Sequence, residues 1–202
     1  MKQLIIIGAS GHGKVVADIA KCNNYTNIAF LDDNDSVTEC NGYKVLGKTA
    51  EYKKFDCDFF VAIGNSYIRA KILQELISAH KSVTTLVHPD AVIGENVKID
   101  KGTVVMAGAV INPSTIIGEG CIINTCASVD HDNVIGDYVH ISVGAHTAGT
   151  VKIGNNTWLG IGAVVSNNIT VCDNCMVGAG AVVIKNIEEE GTYIGVPAKR
   201  KI

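Results

Sequence analysis

Residues 91–108, AVIGENVKIDKGTVVMAG, divide without remainder into the six-residue blocks AVIGEN, VKIDKG and TVVMAG. The division runs on unbroken to Asn186, through AVINPS, TIIGEG, CIINTC, ASVDHD, NVIGDY, VHISVG, AHTAGT, VKIGNN, TWLGIG, AVVSNN, ITVCDN, CMVGAG and AVVIKN. The third place is Ile, Val or Leu in every block except the one holding Thr147. The first place is mostly small or β-branched, and Gly, Asn and Asp gather in the second half. A unit of this size buries its apolar face only by stacking on its neighbours. The pattern therefore predicts a short strand and a corner, repeated, with third-place aliphatics stacked inside a parallel β-solenoid. Three strands closing a triangular coil take about eighteen residues.

The preceding residues follow a different period. LIIIG (Leu4 to Gly8) reads as a buried strand, and GASGHGKVVADIAK as a Gly-rich turn opening a helix. NIAFLDDN and DFFVAIGN are two further strands, and YIRAKILQELISAH is an amphipathic helix. Alternating strands and helices imply a small parallel α/β sheet whose ligands sit at the carboxyl ends of its strands. The expected division is an α/β domain over 1–88 and a solenoid domain with a C-terminal tail over 89–202.

Composition narrows the classes of function. Lys and Arg total 17 against 20 Asp and Glu, and no basic run marks a nucleic-acid footprint. The N-terminal apolar run stops at Gly8, too short for a signal-peptide core or a membrane span, so the chain reads as cytoplasmic with no membrane insertion. Seven cysteines, an odd and scattered number, argue for reduced thiols. Cys172 and Cys175 have CxxC spacing, but both also fit the repeat. The histidines lack the clustered ligands that zinc requires, so no metal is expected.

The turn after the first strand places glycines at Gly8, Gly11 and Gly13, with Ser10 and His12 between them. Its order, GxxGxG, differs from that of dinucleotide-binding turns and disfavours NAD. Such a turn admits a phosphate to the backbone and the helix N-terminus, or it is simply a tight strand-to-helix connection. Asp32 and Asp33 end the next strand and Gly64 and Asn65 the third. With these acceptors nearby, a nucleotide-linked ligand is favoured.

Three histidines interrupt the repeat between Ala127 and Thr150. His131 holds the fifth place of its block, a corner where the side chain adds nothing to a solenoid core. Acyl transfer to an amine or hydroxyl needs a base, and imidazole suits that task near neutral pH. A neighbouring carboxylate, Asp132 or alternatively Asp130, can orient it. Gly149 lies eighteen residues on, one coil above, where a backbone N–H can face the developing oxyanion. His140 and His146 occupy second places, which should face outward. Second-place residues eighteen apart form two apolar stripes, Val104 to Met176 and Val92 to Val182. Stripes of that length suit burial against other copies of the chain.

The repeat resembles that of the hexapeptide-repeat acyltransferases, which implies a left-handed β-helix. IIIGASGHGKVVADIA, FLDDN, AIGN, VDHDNVIGDYVHISVGAHTAG and GVPAKR together resemble the bacterial nucleotide-sugar acetyltransferases, over essentially the whole chain. That resemblance implies a homotrimer with active sites between subunits, acetyl-CoA as co-substrate on the β-helix, and a nucleotide-linked amino sugar held by the α/β domain. It makes Asp132 the acidic partner of the base and places His140, Ile161 and Ala179 along the coenzyme. Ala179 stands where the family would have glycine. For His146 an interface role is the plainer reading. The expected activity is N-acetylation of a UDP-linked 4-amino-4,6-dideoxy sugar by direct transfer. The alternatives are O-acetylation of sialic acid or another sugar hydroxyl, and a solenoid that only binds.

Overall fold

The structure is a computed structural model that describes residues 2–201. It divides into two compact units between Pro89 and Asp90.

In the first unit four parallel strands lie in the order Asn27–Leu31, Gln3–Ile7, Asp58–Val61, Ser82–Val83. Leu4, Ile5, Ile6 and Ile7 are fully buried, as a strand covered on both faces requires. The helix Gly11–Cys22 joins the first strand to the second, and Ser66–Ser78 joins the third to the edge strand. The chain leaves the first strand toward one side of the sheet and later returns to its other side. That reversal puts the topological switch point at the ends of Gln3–Ile7 and Asp58–Val61. A two-residue hairpin, Glu39–Cys40 with Tyr43–Lys44, and a 3-10 helix at Thr49–Lys54 complete the unit. Sequence patterning did not show these, because each is too short to display a period.

The second unit is a three-sided parallel β-helix. One face stacks Val92–Ile93, Val110–Ile111, Ser128–Val129, His146–Thr147, Val164–Val165 and Val182–Val183. A second face runs from Lys98–Ile99 to Thr170–Val171. The third includes Val104–Val105, Ile122–Ile123, His140–Ile141, Trp158–Leu159 and Cys175–Val177. Partners in these ladders are eighteen residues apart, as the block division predicts, and the offset changes to sixteen only past the repeat, where Cys175–Val177 pairs with Gly191–Ile194. Third-place residues from Val105 to Val183 are buried, and so are first-place residues from Thr103 to Ala181.

The corners have one conformation. Every sixth place from Asn96 to Gly180 has a left-handed φ, and the occupants include Asp132, Tyr138 and Thr150 as well as Gly and Asn. A β-branched or bulky residue in that region is uncommon. Packing of the coil therefore overrides local preference there. Val104 and Ile122, expected to face outward with their stripe, are buried, whereas Trp158 and Met176 are exposed.

Candidate functional site

His131 extends from the corner after Ser128–Val129, with 56% of its side chain exposed. Asp132 follows in the left-handed conformation at φ 57°. That turn brings its carboxylate to the same side as the neighbouring ring, and Asp132 Oδ2 lies 2.7 Å from His131 Nδ1. Asp130 acts elsewhere: its Oδ1 accepts the His131 backbone N–H at 2.8 Å and the Asn112 side-chain N–H at 2.7 Å. Those two hydrogen bonds, the one from Asn112 foremost, hold the Asp130 carboxyl below its ordinary range. One carboxylate thus fixes the main chain and the other fixes the ring. The bond to Asp132, reinforced by the charge of Asp130, raises the His131 pKa above its ordinary 6.5.

With Nδ1 engaged, the other edge of the ring lies over Gly149. A Cβ built on Gly149 would sit 2.5 Å from His131 Nε2 and 2.6 Å from Cε1, so only glycine leaves room for the ring. Below the corner, buried Asn133 donates from Nδ2 to the carbonyls of Asp130, His131 and Ala148. Sequence reasoning missed Asn112 and Asn133. Each is an ordinary polar residue in a turn-rich chain, and only the eighteen-residue register points Asn112 at Asp130.

The proposed coenzyme residues gather on another side. His140 stacks on Trp158 with ring centroids 5.2 Å apart and planes 10° from parallel, and its Nε2 lies 3.1 Å from Asn124 Nδ2. Ile161, 63% exposed, and Ala179 stand one above the other at the corner after that face. Within one chain the first face of the coil therefore separates His131 and Gly149 from Ile161 and Ala179. His146 bonds through Nδ1 to Ser128 Oγ at 2.8 Å, outside both groups.

In the α/β unit a cleft of about 250 Å³ opens at the switch point, lined by Gly8, Ser10, Asp32, Asp33, Thr49 and Gly64 among others. Ser10 is the N-cap of the first helix without a side-chain cap bond, and no acidic residue stands in its first turn. The helix end thus keeps its attraction for an anion. Gly11, His12 and Gly13 form that first turn. Burial, reinforced by the Arg69 charge, lowers His12 to a pKa of about 4, so its ring is neutral at pH 7. Asp32 accepts the N–H groups of Ala9 and Asn34, which ties the glycine turn to the second strand. Asp33 Oδ1 accepts the Thr49 N–H. Asn65 caps the second helix through the Ile68 N–H. Arg69, 1% exposed, donates to the carbonyls of Ile63 and Gly64 and fixes the third strand's exit.

Cys172 and Cys175 are free thiols with sulfurs 3.5 Å apart. Burial pushes the Cys175 thiol up to about 12, which suppresses the thiolate that a nucleophile or metal ligand needs. Among the described residues no group of three or more His, Cys, Asp or Glu is placed to hold a metal ion. No helix among them is long and apolar enough to cross a membrane.

The family model described as PglD N-terminal domain matches residues 3–76, and bacterial transferase hexapeptide (six repeats) matches 90–125 and 150–185. The acetyltransferase domain of PglB from Neisseria gonorrhoeae FA1090, solved with acetyl coenzyme A, is 39% identical with a TM-score of 0.96, over 99% of each chain. Perosamine N-acetyltransferase from Caulobacter crescentus, solved as a variant with CoA and GDP-perosamine, is 33% identical with a TM-score of 0.94, over 100% of this chain and 97% of that one. UDP-N-acetylbacillosamine N-acetyltransferase of Bacillus subtilis (strain 168) is 36% identical over 113 residues, 53% of this chain and 52% of that protein. The match spans about half the length of that curated relative.

Proposed function

The chain belongs to the hexapeptide-repeat nucleotide-sugar acetyltransferases, and from that premise we propose that it acetylates the amine of a nucleotide-linked 4-amino-4,6-dideoxy sugar, with acetyl-CoA as donor and His131 as base. The observation that carries this reading is the His131 corner, where Asp132 engages Nδ1 and Nε2 lies over Gly149.

In this reading the sugar amine attacks the thioester carbonyl and a C–N bond forms. His131 Nε2 takes the amine proton, the C–S bond breaks, and the proton passes to the departing CoA sulfur. Asp132 stabilises the imidazolium in between. The amide N–H of Gly149, one coil above, faces the oxyanion. The α/β cleft holds the nucleotide: its pyrophosphate meets Ser10 and the first turn of the helix, and Asp33 reaches the ribose or base. His140, Ile161 and Ala179 line the coenzyme.

One coil side separates His131 from Ile161, so a complete site draws on neighbouring copies of the chain. Two resembling proteins point to different nucleotides, one named for a UDP-linked sugar and the other solved with GDP-perosamine. The base is therefore the part of the acceptor to test first. Release of CoA thiol is measured with acetyl-CoA across UDP-, GDP- and CMP-linked amino sugars. Turnover with one nucleotide class and a 4-amino group is expected. Thiol release with none of them, or only with hydroxyl acceptors, would overturn the reading.

A further inference from the structure

Asn133 stands at the first place of its block, where the other buried first places hold Ala, Val, Ile, Cys or Thr. It is 0% exposed. The Thr corners show what a polar residue ordinarily does there. Thr103, Thr115 and Thr157 each donate their hydroxyl to the carbonyl fifteen residues on, in Gly118, Asp130 and Cys172. The same oxygens accept the N–H eighteen residues on, from Cys121, Asn133 and Cys175. One hydroxyl thereby stitches two coils and leaves no polar atom unmet.

Asn133 makes the first of these bonds, from Nδ2 to the Ala148 carbonyl at 2.8 Å, fifteen residues on. It does not make the second. Its Oδ1 is buried and, among the described residues, has no hydrogen-bond partner. A buried unpaired acceptor is unfavourable, so threonine would serve the fold better at this corner. Two bonds that no threonine corner makes accompany that exception. Asn133 Nδ2 also reaches back to the Asp130 carbonyl at 2.8 Å and the His131 carbonyl at 3.1 Å. These oxygens belong to the peptides on either side of the His131 Cα. The Ala148 carbonyl precedes Gly149, over which the ring lies.

We infer that Asn133 is a positioning residue for the reaction: its buried carboxamide clamps the peptides flanking His131 to the strand end that leads into Gly149, and so sets the distance between the base and the backbone it works against. This rests on the reading of His131 as the base. Asparagine can do this because one planar NH2 supplies two donors fanned toward three carbonyls, whereas a hydroxyl has a single proton. Local departure from the best-packed residue at a functional corner is a recognised pattern in proteins.

The decisive variant is Asn133→Thr, which restores the corner chemistry found at Thr103, Thr115 and Thr157. The Tm is expected to be unchanged or higher and KM for acetyl-CoA unchanged, while kcat falls about 10- to 100-fold from misplacement of the base. Asn133→Cys, which puts at this place the residue found at Cys121 and Cys175, should show the same kcat loss. In a His131→Ala background neither substitution should lower kcat further, because a positioning residue acts only through the group it positions. Wild-type kcat in both variants, beside an inactive His131→Ala, would overturn this inference alone. A kcat loss that persists in full without His131, or a Thr variant that fails to fold, also overturns it, since the corner would then serve the coil. Normal turnover by His131→Ala removes the base reading and this inference together.

Discussion

At the corner after the second face, Glu119, Asp137, Asn155 and Asp173 stand one above another at the fifth place of their blocks. Three of these side chains accept a backbone N–H from the coil below: the N–H of Glu119 donates to Asp137, that of Asp137 to Asn155, and that of Asn155 to Asp173, at 2.7 to 2.8 Å. At the corner after the first face the same places hold Pro113, His131, Gly149 and Asn167. There the ladder is interrupted. The His131 N–H turns to its own neighbour Asp130, and Gly149 offers no side chain. The His131 ring is thus held at Nδ1 by Asp132 and left open at Nε2. The side chains of the ladder are engaged by the coil, whereas the His131 ring turns its Nε2 edge toward Gly149, and it is to this interrupted edge that the proposed reading assigns the chemistry.

The largest effect expected from this contrast is in His131→Ala. Loss of a general base lowers kcat by about two to four orders of magnitude, while Tm and acetyl-CoA binding stay near wild type because the side chain is half exposed and packs in no core. Steady-state kinetics alongside thermal unfolding reads both quantities. A parallel fall in Tm would place His131 with the structural edge.

Two glycine substitutions separate the edges next. At Gly149 the added methyl meets the far end of the His131 side chain, which can swing away. Gly149→Ala should then cost little stability and lower kcat about 10- to 100-fold by displacing the ring. At Gly154 the added methyl runs into the backbone of Cys172 and Asp173 as well as the Asp173 carboxylate. Backbone cannot yield so cheaply, and Gly154→Ala should destabilise the protein by about 1–3 kcal/mol, with catalysis affected only through unfolding. Equal stability losses in the two variants would erase the distinction.

The division between what the sequence announces and what it hides follows the same line. The third place is aliphatic in fifteen of the sixteen blocks, and that repetition alone implies the coil, its register and the corner position of His131. The left-handed sixth place was hidden, because Tyr138 and Thr150 are poor occupants of that conformation and adopt it only under the packing of adjacent coils. The partners of His131 were only half visible. Asp132 is adjacent in sequence, but its pairing with the ring depends on that left-handed turn. Asn133 looks like any turn residue until its carboxamide is seen beneath three carbonyls. In the α/β unit the glycine turn, Asp32 and Asp33 were visible at strand ends. That Asp32 accepts the Ala9 and Asn34 N–H groups and Asp33 the Thr49 N–H, with both lining the cleft, was not, since both are acceptors in a row.

Asp132→Asn tests whether the ring at the reactive edge is tuned by its neighbour. His131 must be neutral to accept a proton, so activity is lost as pH falls through its folded-state pKa. Hydrogen bonding to Asp132 raises that pKa above 6.5, which places the acid limb of the kcat/KM profile above this value. Removing the carboxylate charge weakens the base but moves the limb to lower pH. The ratio of variant to wild-type kcat/KM should therefore be smallest at alkaline pH and rise as the pH falls through the raised wild-type pKa of His131. A ratio that stays constant across pH would mean that Asp132 does not set the titration of His131.

The smallest effect lies at the edge that does no chemistry. Asp173 is exposed, and its Oδ1 accepts the Asn155 N–H one coil below. Asp173→Ala removes that acceptor but leaves the donor near solvent, where water replaces the lost bond. Stability should fall by about 0.5–1 kcal/mol, the net worth of an ordinary hydrogen bond, a loss of a degree or a few in Tm for a chain of this size. kcat and both KM values should not change, because this column stands at the corner after the second face, a different corner of the coil from that of His131 and Gly149. Differential scanning calorimetry and steady-state rates on the same preparation are sufficient. Altered kcat with an unaltered Tm would show that the ladder edge takes part in the reaction, and a polar fifth place could then no longer be sorted by where its hydrogen bonds go.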